Sequence, residues 1–146
     1  MSEQPTAERV LFLCTHNSAR SQMAEGLLRH LGGARFAAYS AGTEATRVRP
    51  LAIRAMAELH IDIAGQQSKT LERYVDQPFD KVITVCDQAN ETCPVFFGAR
   101  ERLYWSLPDP SAASGSETEQ LAIYRQVRDA IRARIEQELL AGSPPA

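Results

Sequence analysis

Apolar positions along the chain follow two rhythms. Val10 to Leu13 and Val82 to Val85 are short continuous apolar or β-branched runs bounded by polar residues, which predicts buried parallel strands over 9–13 and 81–86. Met23, Leu27, Leu28 and Leu31 instead recur at helical spacing and stop at Gly32-Gly33. A second helix is predicted from Pro50, with Ile53, Met56 and Leu59 as its apolar face. A third follows the Ser116/Glu119 capping box and carries Leu121, Tyr124, Val127, Ile131 and Ile135.

The remaining segments are shorter. Residues 35–39 predict another strand, closed by a loop over 40–43, and Leu103-Tyr104-Trp105 predicts a fourth, ended by Pro108-Asp109-Pro110. Residues 61–80 hold at most one short helix, and 87–102 reads as a loop. Strand, helix, strand implies a right-handed parallel crossover. The expected architecture is α/β: a three-layer, open, four-stranded parallel sheet with helices on both faces. No repeat or linker divides it, so one domain over 1–146 is expected, with flexible tails at 1–8 and 141–146.

Composition narrows the function classes. A net charge of -2, from 16 basic and 18 acidic residues scattered along the chain, offers no stripe for nucleic acid. No apolar run reaches the roughly 18–20 residues of a membrane span, and the first eight residues lack a signal-peptide core. A cytoplasmic protein is expected. Three cysteines are an odd set, which in a reducing compartment points to reactive or metal-binding thiols more than to structural disulfides.

Their positions carry the chemistry. Cys14, Cys86 and Asp109 all fall at or beyond the carboxyl ends of predicted strands, where open parallel sheets bind ligands. Only five residues, Thr15, His16, Asn17, Ser18 and Ala19, separate Cys14 from Arg20. Such a loop is short enough to wrap a tetrahedral oxyanion in backbone N–H groups, and the helix behind it adds its positive end. The same donors favour a thiolate at Cys14. Arg20 supplies a planar fork for two oxygens of the anion, Ser18 and Ser21 can donate to thiolate or anion, and Asn17 tolerates a left-handed turn.

The run from Cys14 to Gly26, the Ser40-Ala41-Gly42 loop, Val85-Cys86-Asp87 with Cys93-Pro94, and Trp105 with Asp109-Pro110 together resemble the thioredoxin-coupled arsenate reductases, which share the low-molecular-weight protein tyrosine phosphatase fold. The resemblance covers roughly residues 9–136. It implies that Cys14 attacks arsenate, that Asp109 protonates the departing oxygen, and that Cys86 then attacks the sulfur of the adduct and expels arsenite. Cys93 would next form a disulfide with Cys86 that thioredoxin reduces. Residues 87–92 must be pliable for that relay, and they contain no proline. Phosphate and sulfate would compete with arsenate; no tightly bound cofactor and a monomer are expected.

Departures from the relatives also inform. The phosphatases commonly carry a cysteine where this chain has Ala19, and tyrosines after the acid where it has Ser111-Ala112-Ala113, so both differences favour the reductase. Some members bind potassium at positions matched by Asn17, Glu25 and Ser40. Lys69 stands where an aspartate ligand is expected, so its ammonium can replace the ion. His16 is either a solvated loop residue or a source of positive potential near Cys14. Tyr104 and Trp105 read as core and lid packing, Met23 and Met56 as core, and His30 and His60 as charges near helix ends. Two other functions compete: phosphomonoester hydrolysis by Cys14, Arg20 and Asp109 alone, and a metal- or oxyanion-binding module built on the cysteines and His16.

Overall fold

The computed structural model describes residues 7–87, 93 and 96–141. Of the tails expected at 1–8 and 141–146, residues 1–6 and 142–146 lie outside the described residues, as does most of the pliable segment expected at 87–92, while Glu8 opens the first strand instead of belonging to a tail. Strands β1 (Glu8–Cys14), β2 (Phe36–Gly42), β3 (Phe79–Cys86) and β4 (Ala99–Ser106) form one parallel sheet in the order β2-β1-β3-β4. The helices are α1 (Arg20–Gly32), α2 (Pro50–Ala57) and α3 (Glu117–Ile135). Among the described residues, no helix is long and apolar enough to cross a membrane.

Strand alternation divides the interior. Val10, Phe12 and Cys14 of β1, with Ile83 and Val85 of β3, join a core shared with α1, α2 and α3. Leu11, Leu13 and Val82 point the other way, into a smaller core with Tyr74, Phe79 and Phe96. Each fully buried side chain of this size contributes about 1.5–3 kcal/mol. Helices were expected on both faces; the three α-helices share one core, and the second face is covered by a 3-10 turn, Leu71–Tyr74, and an aromatic cluster around Phe79. This turn is the one short helix expected within 61–80, and its four residues are too few to show a helical period in the sequence.

Other boundaries also moved. Ser40 to Gly42, expected to be a loop, completes β2, since its pairing with β1 continues to Cys14 opposite Gly42. Arg35 belongs to a 3-10 turn before β2, and α2 ends at Ala57, leaving Leu59 beyond it. Ala99 to Arg102, expected in the loop, begins β4. As the edge strand it exposes Arg100, Glu101 and Arg102, so it lacks an apolar signature. Tyr104 lies exposed on the same edge, while Trp105 is buried and donates from Nε1 to Glu138 at 3.1 Å. Met23 and Met56 are fully buried as expected.

The helices are anchored at the ends that matter for the site. Ser116 and Glu119 form the predicted capping box of α3, and the hydrogen bonds from Ser116 hold the Glu119 carboxyl below its usual range. Arg128 of α3, almost fully buried, donates to the Ala55 carbonyl at 2.7 Å and to Glu58 at 2.9 Å. Hydrogen bonds from Arg125 and then Arg128 pull the Glu58 carboxyl down to about 2. This clamp fixes the far end of α2. Its near end is tied to the loop after β1, where the Arg49 N–H donates to the Ser18 carbonyl at 2.9 Å.

Candidate active site

The loop between β1 and α1 is held from outside by its own carbonyls. Thr15 O accepts from Glu44 N, His16 O from the Thr46 and Ser68 hydroxyls, Asn17 O from Gln22 Nε2, Ser18 O from Arg49 N, and Ala19 O from Met23 N. With all five carbonyls engaged by the fold, the amides are what the loop can offer an anion. Helix α1 has no side-chain cap and no acidic residue in its first turn, so the positive end of its 13 residues is not neutralised. Close packing fixes the position. A Cβ added to Gly42 would sit 2.8 Å from Asn17 N, Cys14 O and Thr15 O, all of them backbone atoms.

Asn17 adopts the left-handed conformation expected of it, at φ 49°, and is completely buried. Its Oδ1 accepts from the Lys69 amide at 2.7 Å; because that amide can only donate, the other side-chain atom facing Ser21 is Nδ2, a donor. Ser21 Oγ therefore accepts from Asn17 Nδ2 at 2.8 Å and is hydrogen-bonded to Cys14 Sγ, also at 2.8 Å, with its own hydrogen available to the sulfur. Gln22 adds bonds to Asn17 and to Gln67 O, and Gln66 holds Gln22 in turn.

Beneath Asn17 lies a buried polar cluster. Glu25 accepts from Ser40 Oγ at 2.5 Å and from Arg29 Nη2 at 2.6 Å, and Lys69 Nζ lies 3.7 Å from its Oε1. Lys69 Nζ also donates to Gln67 O at 2.6 Å. Burial lowers the Lys69 pKa, and the neighbouring Glu25 carboxylate opposes that shift. Of the three residues matched to a potassium site, Glu25 faces the Lys69 ammonium, Ser40 donates to that carboxylate, and Asn17 accepts from the Lys69 backbone amide.

Arg20 is buried, with Nη1 donating to Leu107 O at 3.2 Å and Nη2 standing 3.8 Å from Asp109 Oδ2. The structure brings Arg20 and Asp109 together from opposite ends of the chain. Asp109 Oδ1 accepts from Ser111 N at 2.9 Å, which caps the turn Pro110–Ala112 and keeps Oδ2 toward the guanidinium. Ser111 Oγ in turn meets the Tyr124 hydroxyl at 3.2 Å. His16 turns its half-exposed ring away to Glu44, 3.2 Å from Nδ1 to Oε2.

Cys14 is free and buried, whereas Cys86 and Cys93 share a disulfide with Cα atoms 6.2 Å apart. Cys86 ends β3 beside β1. Val85 faces the helical core, so alternation turns Cys86 to the opposite face from Cys14. Tyr104 Oη donates to Cys86 O at 3.0 Å. Several supporting residues were not singled out from sequence. Gln22, Gln66, Ser68, Thr46 and the Leu107 carbonyl gave no local signal, because each is polar in a polar stretch and acts through a partner distant in sequence.

Similarity to known proteins agrees with this arrangement. Residues 9–141 match the family model of low molecular weight phosphotyrosine protein phosphatases. The chain is 44% identical over 126 residues to an arsenate reductase of Halalkalibacterium halodurans, covering 86% of this chain and 91% of that protein. It resembles the structure of an arsenate reductase in the phosphate binding state with a TM-score of 0.78 and 36% identity, covering 93% of this chain and 99% of that one. It also resembles a thioredoxin-dependent arsenate reductase of Corynebacterium glutamicum, at a TM-score of 0.67 and 28% identity, covering 95% of this chain and 65% of that one.

Proposed function

The chain belongs to the low molecular weight phosphotyrosine protein phosphatase family, and on that premise we propose that it reduces arsenate to arsenite through a relay of three thiols recycled by thioredoxin. The observation that carries the reading is the sulfur arrangement: Cys14 free inside an oxyanion cradle, and Cys86 already bonded to Cys93. The likeness to curated arsenate reductases and to a thioredoxin-dependent one supports it.

The chemistry runs through this chain's own groups. The amides of 15–20 and the Arg20 guanidinium hold the anion, and the Cys14 thiolate attacks arsenic while Asp109 protonates the departing oxygen. Cys86 then attacks Cys14 Sγ, and the electron pair of the sulfur–arsenic bond stays on arsenic. Arsenic is reduced by two electrons, and Cys14 and Cys86 are oxidised to a disulfide. Cys93 attacks Cys86 Sγ, releasing the Cys14 thiolate. Because Cys86 faces away from Cys14 once it is bonded to Cys93, the end of β3 rearranges once per cycle. The relay needs reduced thiols, which fits a cytoplasmic monomer. The Lys69 ammonium, 3.7 Å from Glu25, can replace a monovalent cation, and turnover is then independent of potassium.

The test is arsenate-dependent NADPH oxidation in the presence of thioredoxin and thioredoxin reductase. Wild-type protein turns over repeatedly, Cys93→Ser stops after about one arsenite per chain, and Cys86→Ser releases none. A wild-type signal no higher than that of Cys86→Ser rejects the reading. A second reading, slow phosphomonoester hydrolysis by Cys14, Arg20 and Asp109, is favoured by the likeness to a phosphate-binding structure. It predicts that Cys86→Ser keeps its activity on p-nitrophenyl phosphate.

A further inference from the structure

The Cys86–Cys93 disulfide has a surface of its own. Parallel pairing sets Val82 beside Arg102, Thr84 beside Tyr104 and Cys86 beside Ser106. Paired residues of a parallel sheet share a face, so Arg102 and Tyr104 stand on the face to which Cys86 turns, opposite that of Cys14 and Val85. Phe97, 82% exposed, lies with its ring 5.4 Å from the Arg102 guanidinium. Tyr104, 40% exposed, reaches the Cys86 carbonyl. Its neighbour Phe96 is buried in the second core, so chain direction alone places Phe97 outside. Two exposed aromatic rings and an arginine, on the edge strand and just before it, are the side chains that interfaces enrich.

We propose that Phe97, Arg102 and Tyr104 form the docking surface for the dithiol protein that reduces Cys86–Cys93, an inference that rests on the arsenate reductase reading above. The occupant is a small dithiol protein of the thioredoxin type, the kind of reductant on which the similar Corynebacterium glutamicum enzyme depends. Cys86 is fully buried and Cys93 only partly so, which directs attack to Cys93. The partner's thiolate bonds to Cys93 Sγ and Cys86 leaves as a thiolate. The partner's second thiol then attacks its own sulfur in the mixed disulfide and releases Cys93. Two electrons pass from partner to chain, and the partner ends as a disulfide. The docking surface acts on the first step by holding the two sulfurs in reach.

The experiment uses the full, oxidised chain and follows its reduction by increasing thioredoxin and, separately, by dithiothreitol. Phe97→Asp lowers kcat/KM for thioredoxin about tenfold or more, mainly through KM, while the dithiothreitol rate stays within about twofold. Phe97→Tyr keeps the ring and restores the thioredoxin rate. An unchanged thioredoxin rate in Phe97→Asp, or a parallel fall with dithiothreitol, overturns the docking surface. If thioredoxin fails to reduce the wild-type disulfide while Phe97→Asp behaves identically, both the surface and the relay reading fall. Wild type reduced normally with Phe97→Asp equally fast removes the surface alone.

Discussion

Cys14 and Cys86 end neighbouring strands, yet the chain around the two sulfurs is built differently. Cys14 closes the central strand, paired on both sides and buried on both faces, and the loop after it is held at every carbonyl from Thr15 to Ala19. Cys86 ends the other inner strand, whose outer neighbour β4 has mostly exposed side chains, whereas β2, the outer neighbour of β1, is largely buried. A cradle that must distinguish one tetrahedral anion benefits from fixed donors, since misplacement by about 1 Å can cost 10²-fold in rate. A thiol that must change partner and meet another protein benefits from a margin that can yield. In the proposed relay, this difference separates selection of the anion from export of the oxidation.

Gly42→Ala breaks the cradle most directly. The new methyl group meets three backbone atoms that no side-chain rotation can clear, so the loop or the end of β2 shifts. We expect kcat/KM for arsenate to fall by about 10²-fold or more. Reduction of the preformed Cys86–Cys93 disulfide by thioredoxin should stay near the wild-type rate, because Gly42 lies on the far side of β1 from β3. Measuring both rates on one preparation separates the regions; a common fall would show that they are not independent.

Ser21→Ala acts on the cradle without moving it. The substitution removes the hydroxyl that links Asn17 to Cys14 Sγ. Hydrogen bonds to a charged group are worth about 1.5–3 kcal/mol, which corresponds to roughly 10–100-fold in the reactivity of a thiolate that depends on one. Alkylation of Cys14 by iodoacetamide at neutral pH, followed by mass spectrometry on the reduced protein, reads this directly. Equal alkylation rates in wild type and variant would assign Ser21 to packing instead.

How much of this was legible in the chain follows the same division. The central strand, its cysteine and the five-residue loop announce themselves because burial on both faces forces an apolar run and the loop is continuous in sequence. The capping box of α3 and the buried stripe from Leu121 to Ile135 are equally local. The edge is another matter. Arg100, Glu101 and Arg102 read as loop because solvent, not a core, covers them. The outer supports of the cradle, from Thr46, Ser68 and Gln66, are tertiary contacts that leave no periodic trace. The facing of Cys86 away from Cys14 depends on strand register, and an error of one residue reverses it.

Lys69 sharpens the comparison at its smallest scale, because it supports the cradle from below and touches nothing at the edge. Its amide fixes Asn17, and its ammonium sits beside Glu25, which Arg29 and Ser40 also hold. Lys69→Met keeps the amide and removes only the charge. Because two partners of Glu25 remain, arsenate turnover should fall by no more than about threefold, in line with the modest worth of one ion pair among several contacts. If the ammonium stands in for a cation, potassium at constant ionic strength restores the variant and leaves wild type unchanged; a potassium response in wild type would reject the substitution of one for the other. Stability supplies an independent check. Burial lowers the Lys69 pKa from 10.5, so in the alkaline range just below that value the unfolded chain binds the proton more readily than the folded one. Wild type therefore gains stability relative to Lys69→Met as pH rises toward 10.5, and thermal unfolding of the two proteins from neutral pH upward measures that divergence.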